Sequence, residues 1–165
     1  FMISGLTALQ LHESEAALAS YPELASFIRR FGAHYPADAQ QLYRRMIFNI
    51  LVGNTDDHAR NHAFFWDGHQ YRLTPAYDIC PMLRTGQTAS QGMIVGDKGR
   101  ESTLRNALSL SEQFGVSRSE AKSIQEELAE TIKTNWAKAA DSAGLTNTES
   151  KMLRQSTVLS PACFY

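Results

Sequence analysis

The sequence predicts a mainly α-helical domain that carries one small β hairpin. Apolar residues recur at helical spacing on both sides of a central region, as in the stretch YPELASFIRRFG (21–32). In the central region, two aromatic-rich runs instead flank the turn-forming pair Asp67-Gly68, which is typical of a hairpin. Because no other segment strongly favours strands, we do not expect a large parallel sheet.

Length and composition restrict the class of protein. The 165 residues predict one domain, covering residues 1–165, with 43% apolar residues and a formal net charge of −1. The chain has no excess of basic residues, so its charge does not predict direct nucleic-acid binding. No apolar run approaches the length of a membrane span. Two cysteines, Cys80 and Cys163, stand far apart without a CxxC pair, which favours a reducing, cytoplasmic location over a disulfide framework.

Two helices are predicted before the hairpin. The first contains Pro22 near its start and ends at Gly32. The second begins near Pro36 and ends at Gly53, and its last seven residues, 46–52, are apolar nearly all round. A helix of that kind is expected at the centre of the protein.

Helices return after the hairpin. The stretch 84–100 contains four glycines and is expected to be a long loop with a short strand at 93–95. Helix resumes near Ser102, and capping boxes predict two more helical starts, at Ser117 with Glu120 and at Thr146 with Glu149. The longer of these helices is expected to end near Gly144 and to bury a stripe made of Ala121, Ile124, Leu128, Ile132 and Trp136.

A polar cluster follows the apolar helix at once, in the stretch GNTDDHARN (53–61). Asp56 and Asn61 lie five residues apart in it, and the hairpin that follows is expected to bring Asp78 back towards this loop. Two carboxylates and one carboxamide would then converge. Oxygen ligands of this kind suit Mg²⁺, which usually binds a few protein oxygens together with substrate phosphates and water.

Phosphoryl transfer uses such an arrangement. One Asp orients the attacking hydroxyl, while an Asn and a second Asp hold the metal ions beside the β and γ phosphates. Protein kinases place the catalytic Asp five residues before that Asn. The sequence therefore predicts a kinase that uses ATP and Mg²⁺, with Asp56 as the catalytic residue and Asn61 and Asp78 as the metal ligands.

The wording of these motifs resembles one family in particular. GNTDDHARN, followed by YRLTPAYDICP (71–81), is similar to the D-x-H-x-[KR]-N and L-T/A-P-x-Y-D signatures of the HipA family of bacterial serine/threonine kinases, which are the toxins of toxin–antitoxin pairs. The similarity extends from ISGLTALQL (3–11) to QFGVSRSEA (113–121), over most of the chain.

The resemblance implies roles for residues and partners. It places Asp56 as the catalytic Asp, Asn61 and Asp78 as Mg²⁺ ligands, His58 as a brace of the loop, and Arg60 near the phosphates. It also implies a protein substrate, in the translation machinery, and a small DNA-binding antitoxin as partner. Lipid kinases of the phosphoinositide type share a D-x-H-x-x-N loop, so the motif does not fix a protein substrate.

One expected part of a kinase has no match in the sequence. Neither a glycine-rich phosphate loop nor a strand with a suitable Lys precedes Asp56, and the first 55 residues are expected to be helical. We therefore expect this chain to be the helical C-terminal lobe of a HipA-like kinase fold. Phe1 stands before Met2, which favours a piece of a longer protein that would be nearly inactive alone.

Other interpretations of these residues remain open at this point. Asp56 and Asn61 are also common as turn caps. His58 and His62, with Asp78, would suit a metallohydrolase, although no third His supports one. The chain would also suit a non-catalytic module that contacts an antitoxin or another protein.

Several neighbouring residues are expected to have structural roles only. Asp57 is expected to be a solvated loop acid or a helix cap, and His58 to make a structural hydrogen bond. Tyr77 is expected to serve packing, and Cys80 to be a small buried thiol. The arginine pairs on the two early helices are expected to face solvent: Arg29, Arg30, Arg44 and Arg45.

Overall fold

Helices dominate the fold, and a small sheet lies against them. The computed structural model describes residues 1–83 and 88–165. The helices are α1 (Gly5–Ala8), α2 (Tyr21–Phe31), α3 (Ala37–Val52), α4 (Leu104–Ser109), α5 (Arg118–Ser142) and α6 (Asn147–Ser156). The strands are β1 (Met2–Ser4), β2 (Ala63–Trp66) and β3 (Tyr71–Leu73). Short 3₁₀ turns cover Glu13–Leu18, Ala59–Asn61, Ser111–Phe114 and Pro161–Phe164. The mainly α class and the hairpin are confirmed.

Helix α3 is the centre of the core, as its sequence predicts. Its apolar residues are fully buried on several sides, among them Leu42, Met46, Ile47, Ile50 and Leu51. Helices α2, α4 and α5 and strand β3 all pack against it. The loop 53–61 leaves the end of this helix, so the core fixes where that loop begins.

Gly53 ends α3 in a left-handed conformation, with φ of 72°. The main-chain N–H of this residue donates to the carbonyl of Ile50 at 3.3 Å, and a Cβ added here would lie 2.6 Å from Cγ2 of Thr157. Both the backbone angle and the space therefore require glycine.

We expect Gly53→Ala to lower the free energy of unfolding by about 2–5 kcal/mol. About 1–2 kcal/mol comes from the left-handed backbone, and about 1–3 kcal/mol from the clash with Thr157. Gly144→Ala is the matched control, because Gly144 has φ of 71° but nothing within 4 Å of an added Cβ. Urea unfolding of both variants separates the two contributions, and equal losses would show that the Thr157 contact costs nothing.

The sheet has the order β1-β2-β3 and is antiparallel throughout. The predicted hairpin joins β2 to β3, with Phe64 opposite Leu73, and Asp67 Oδ1 accepts from the N–H groups of His69 and Gln70 at 2.8 Å each. Strand β1 corrects the expectation that the first 55 residues are helical. It is only three residues long, and its partner strand lies some sixty residues away, so no local pattern marks it.

The later segments follow the predictions closely, with one exception. Both capping boxes are present, at Ser117 with Glu120 and at Thr146 with Glu149. The predicted loop 84–100 falls partly on residues 84–87, which lie outside the described residues. The strand expected at 93–95 is not formed. Instead, Ile94 pairs singly with the chain before α2, donating to Ala19 and accepting from Tyr21, at 3.0 Å each.

Candidate active site

Two segments meet beyond the end of α3: the loop 53–61, and the segment 77–82 that follows the hairpin. Tyr77 Oη donates to the carbonyl of Arg60 at 2.6 Å, and Asn54 Nδ2 donates to the carbonyl of Asp78 at 3.4 Å. The N–H of Met82 donates to the carbonyl of Gly53 at 3.0 Å. Three hydrogen bonds therefore hold the segment with Asp78 along the loop with Asp56 and Asn61. Tyr77 makes one of these links, beyond the packing role expected of it.

The loop closes on itself through Asn61. Its Nδ2 donates to the carbonyl of Asp56 at 3.3 Å, and its N–H donates to the carbonyl of His58 at 2.9 Å. Asn61 is buried, whereas Asp56 is exposed. The amide nitrogen of Asn61 thus bonds within the loop, while its side-chain oxygen accepts no hydrogen bond from a described residue.

Asp78 has an unusual backbone. Its φ is 56°, in the left-handed region that few residues other than glycine adopt, although Asp tolerates it better than most. Its side chain is exposed, and no described residue bonds to its carboxylate. No described residue bonds to the side-chain oxygens of Asp56, Asn61 or Asp78, and two carboxylates and one amide are ligands of the type that fits a hard cation such as Mg²⁺.

Asp57 is buried, with 2% of its surface exposed, so the expectation of a solvated acid or a helix cap was wrong. One carboxylate oxygen, Oδ2, accepts from Tyr21 Oη, from Asn49 Nδ2 at 2.6 Å and lies 3.0 Å from His62 Nε2. Burial, and then the charge of Asp57, raise the pKa of Tyr21 well above its usual range. Tyr21 therefore stays protonated and can only donate to this carboxylate.

Arg45 is also buried, which corrects its predicted place on a solvated face. One of its terminal nitrogens donates to the carbonyl of Thr74, while Nε and the other terminal nitrogen have no partner among the described residues. Loss of hydration lowers the pKa of Arg45, and the charges of Asp57 and Asp38 oppose that effect. The charge of Arg45 thus interacts with that of Asp57, but the two side chains form no ion pair within 4 Å.

The other arginines differ in their surroundings. Arg44 is half-buried and forms a two-pronged salt bridge with Glu127, at 3.0 and 2.6 Å, whereas Arg29 and Arg30 are exposed as expected. Arg60 is exposed and pairs with Glu13 of the first 3₁₀ turn. This hydrogen bond and the charge of Arg60 lower the pKa of Glu13. The Glu13 carboxylate therefore pairs with the Arg60 side chain in this structure. The role of Arg60 at the phosphates stays a prediction.

His58 and the nearby His62 differ in their hydrogen bonding. His58 Nδ1 is buried and has no hydrogen-bond partner among the described residues, so the structural hydrogen bond expected of His58 is not made at that atom. His62 is 1% exposed and holds Asp57 instead. Within residues 1–83 and 88–165, no three His, Cys, Asp or Glu side chains gather as metal ligands, which gives the metallohydrolase interpretation no support.

Cys80 is exposed, so the expectation of a buried thiol was wrong. It lies in the irregular segment after Asp78.

In the part of the chain that the structure describes, no helix combines the length and apolar character needed to cross a bilayer.

Several residues of this site were not found from the sequence. Tyr21 and Asn49 look like ordinary helix residues, and Asn54 looks like a loop residue. A polar Asn49 within the apolar run 46–52 was the available signal, because a polar residue in a buried helix must have a partner. The identity of that partner depends on tertiary packing.

Comparison with known proteins identifies the family of this chain. The family of HipA-like C-terminal domains matches residues 1–136. A Haemophilus influenzae protein named "Putative kinase" is 35% identical over 61 residues, which are 36% of this chain and 18% of that protein. "Putative kinase Y4mE" of Sinorhizobium fredii is 30% identical over 60 residues, 36% of this chain and 14% of that protein.

A solved structure has the same fold. The complex of HipA, HipB and operator DNA from a toxin–antitoxin system of Shewanella oneidensis contains a chain that matches with a TM-score of 0.67 and 17% identity, over 93% of this chain and 40% of that one. This chain thus spans less than half of the HipA chain and less than a fifth of the two curated relatives. Because the family match covers most of its residues, the chain belongs to the HipA-like C-terminal domain family.

Proposed function

We propose that this chain is the C-terminal lobe of a serine/threonine protein kinase that uses Mg²⁺ and ATP. The observation that carries the proposal is the set of hydrogen bonds joining residues 53–61 to residues 77–82. They bring the segment with Asp78 against the loop with Asp56 and Asn61. The relatives named as kinases support the same reaction class.

Each residue has a defined part in this proposal. Asn61 and Asp78 would hold the metal through their side-chain oxygens, and Asp56 would orient the hydroxyl of the acceptor and take its proton. When bound, ATP would supply the transferable phosphoryl group and Mg²⁺ would neutralise its charge. Arg60 contributes positive charge at the phosphates after leaving Glu13, with which it pairs in this structure.

The left-handed backbone of Asp78 supports its role. Strained backbone angles persist where the surrounding structure fixes them, and they concentrate at functional sites. Here the carbonyl of Asp78 is held by Asn54 and the neighbouring Tyr77 is held at Arg60. The angle of 56° therefore fixes the direction in which the Asp78 carboxylate leaves the chain.

The partners follow from the family. We propose that the acceptor is a protein Ser or Thr hydroxyl and that a small DNA-binding antitoxin binds the protein. The solved relative with HipB and operator DNA supports the second point. The same relative is also consistent with the alternative, in which this lobe contacts an antitoxin without catalysing phosphoryl transfer.

We expect Asp78→Asn, in the full-length protein, to raise the Mg²⁺ concentration needed for half-maximal phosphotransfer by about tenfold or more. The substitution removes the charged ligand and preserves the shape of the side chain, and divalent cations depend strongly on carboxylate charge. A titration of activity against free Mg²⁺ at fixed ATP measures the shift.

The matched control is Asp97→Asn, which changes an exposed Asp on the loop before α4. It should leave the titration unchanged. A curve for Asp78→Asn that overlays the wild-type curve would remove Asp78 from the metal site. Failure of the wild-type full-length protein to transfer phosphate from ATP would favour the non-catalytic alternative.

A further inference from the structure

We infer that Asp57 is a positioning residue, whose buried carboxylate begins a hydrogen-bond chain through Asn49 and Asn54 to Asp78 and so fixes the spacing between the two halves of the site. This inference rests on the proposed function, since it concerns the alignment of the same residues. Asp57 itself is 2% exposed and cannot touch a substrate.

The hydrogen-bond chain from Asp57 to Asp78 is continuous, and each of its bonds joins a donor to an acceptor. Asn49 Nδ2 donates to Asp57 Oδ2 at 2.6 Å, and Asn49 Oδ1 accepts from Asn54 Nδ2 at 3.2 Å. The same Asn54 nitrogen donates to the carbonyl of Asp78 at 3.4 Å. An amide nitrogen has two hydrogens, so Asn54 can make both bonds. Side chains of Asn49 and Asn54 are 2% and 1% exposed, so water does not compete for these bonds.

Three separate parts of the fold hold the Asp57 carboxylate, where the hydrogen-bond chain starts. Tyr21 comes from the first residue of α2, Asn49 from α3 and His62 from the position before β2, and all three meet the same oxygen of Asp57. A charged acceptor in a buried site makes strong hydrogen bonds. Asp57 therefore fixes its own main chain relative to the core. Asp56 directly precedes Asp57 in the sequence, so the position of Asp56 is fixed as well.

A second link runs from the same face of α3. Arg45 and Asn49 are four residues apart, so they lie side by side on the helix. Arg45 donates to the carbonyl of Thr74, four residues before Asp78, and its charge interacts with Asp57. One face of one helix thus holds both the loop with Asp56 and the segment that leads to Asp78.

Two glycines confine the loop from its sides. A Cβ added to Gly92 would lie 2.7 Å from the carbonyl oxygen of Asp57, and one added to Gly5 would lie 2.5 Å from that of Ala59. Only glycine allows backbones to approach this closely. Asp57 is therefore anchored through its side chain while its main chain is in close contact with Gly92.

The test compares two buried tyrosines in the full-length protein. Tyr21→Phe removes the hydroxyl that donates to Asp57, and Tyr43→Phe removes a hydroxyl whose partner is Gln125, at 3.3 Å. Both tyrosines are fully buried, so the two variants lose the same group from similar surroundings. We expect Tyr21→Phe to lower kcat about tenfold, the effect of one lost bond to a charged group. It should also raise the Mg²⁺ requirement, whereas Tyr43→Phe should change kcat by less than about twofold.

Amide hydrogen exchange gives a readout that does not need activity. We expect faster exchange in residues 54–62 and 77–82 of Tyr21→Phe, and wild-type exchange there in Tyr43→Phe. A merely structural role for Tyr21 would lower thermal stability in both variants and leave the Mg²⁺ requirement unchanged.

The outcomes separate this inference from the proposed function. If the wild-type protein transfers phosphate and the two variants behave alike in kcat, Mg²⁺ requirement and exchange, the positioning role of Asp57 is overturned and the kinase assignment stands. If the wild-type protein transfers no phosphate, the kinase assignment fails. Exchange then decides alone: a change confined to Tyr21→Phe supports the coupling of the two segments, and no change overturns it.

Discussion

Asp56→Ala is expected to reduce phosphotransfer by the full-length protein about 10²- to 10⁴-fold, the usual contribution of a positioned general base. Asp56 is exposed, and no described residue bonds to its carboxylate; only its main-chain carbonyl is used, by Asn61. The substitution removes the group that orients the acceptor hydroxyl and removes no buried contact. Activity should fall while the fold is retained.

Initial rates of ³²P transfer from ATP to a protein acceptor measure this effect, and thermal unfolding serves as the check on folding. Asp97→Ala is the control, because it removes another exposed loop carboxylate. Undiminished turnover in Asp56→Ala, with normal unfolding, would exclude Asp56 as the catalytic residue.

Substitution of the neighbouring Asp57 should strongly lower the stability of the fold. We expect Asp57→Ala to lower the free energy of unfolding by about 3–5 kcal/mol, because each buried polar group that loses its partner costs about 1–3 kcal/mol. It would leave the buried side chains of Tyr21, Asn49 and His62 without their shared acceptor. Asp56→Ala would thus lower activity with the fold retained, whereas Asp57→Ala would lower the stability of the fold as well.

Urea unfolding with an unchanged dependence on denaturant measures this loss. Asp57→Asn is the matched variant, since it retains an acceptor oxygen of the same shape and should lose less stability than Asp57→Ala. An unfolding midpoint for Asp57→Ala equal to that of the wild type would contradict the buried hydrogen-bond network.

Local signals explain which elements could be predicted. The capping boxes at Ser117 and Thr146 depend on residues three positions away, and the turn at Asp67-Gly68 depends on neighbours, so each was visible in the sequence. Strand β1 was missed because its pairing partner lies some sixty residues along the chain. Helix α3 could be predicted to be buried because its apolar run is continuous.

The residues of the candidate site also fall into two groups: those that local motifs identify, and those whose surroundings depend on tertiary packing. Asp56, Asn61 and Asp78 could be identified from spacing and from the family motifs, although their roles stay predictions. The burial of Asp57 could not, because it depends on Tyr21, which lies 36 residues earlier, and on Asn49 in the preceding helix. Arg45 was misjudged for a related reason: its paired position beside Arg44 favoured solvent, whereas β3 and the segment after it cover this face of α3.

A crystal structure of the full-length protein with Mg²⁺ and a non-hydrolysable ATP analogue tests the central claim most directly. The account predicts side-chain oxygens of Asn61 and Asp78 at about 2.1 Å from the metal, with the Asp56 carboxylate facing the γ phosphate. Nucleotide and metal bound away from the 53–61 loop, or an Asp78 carboxylate that turns away from the metal, would contradict it.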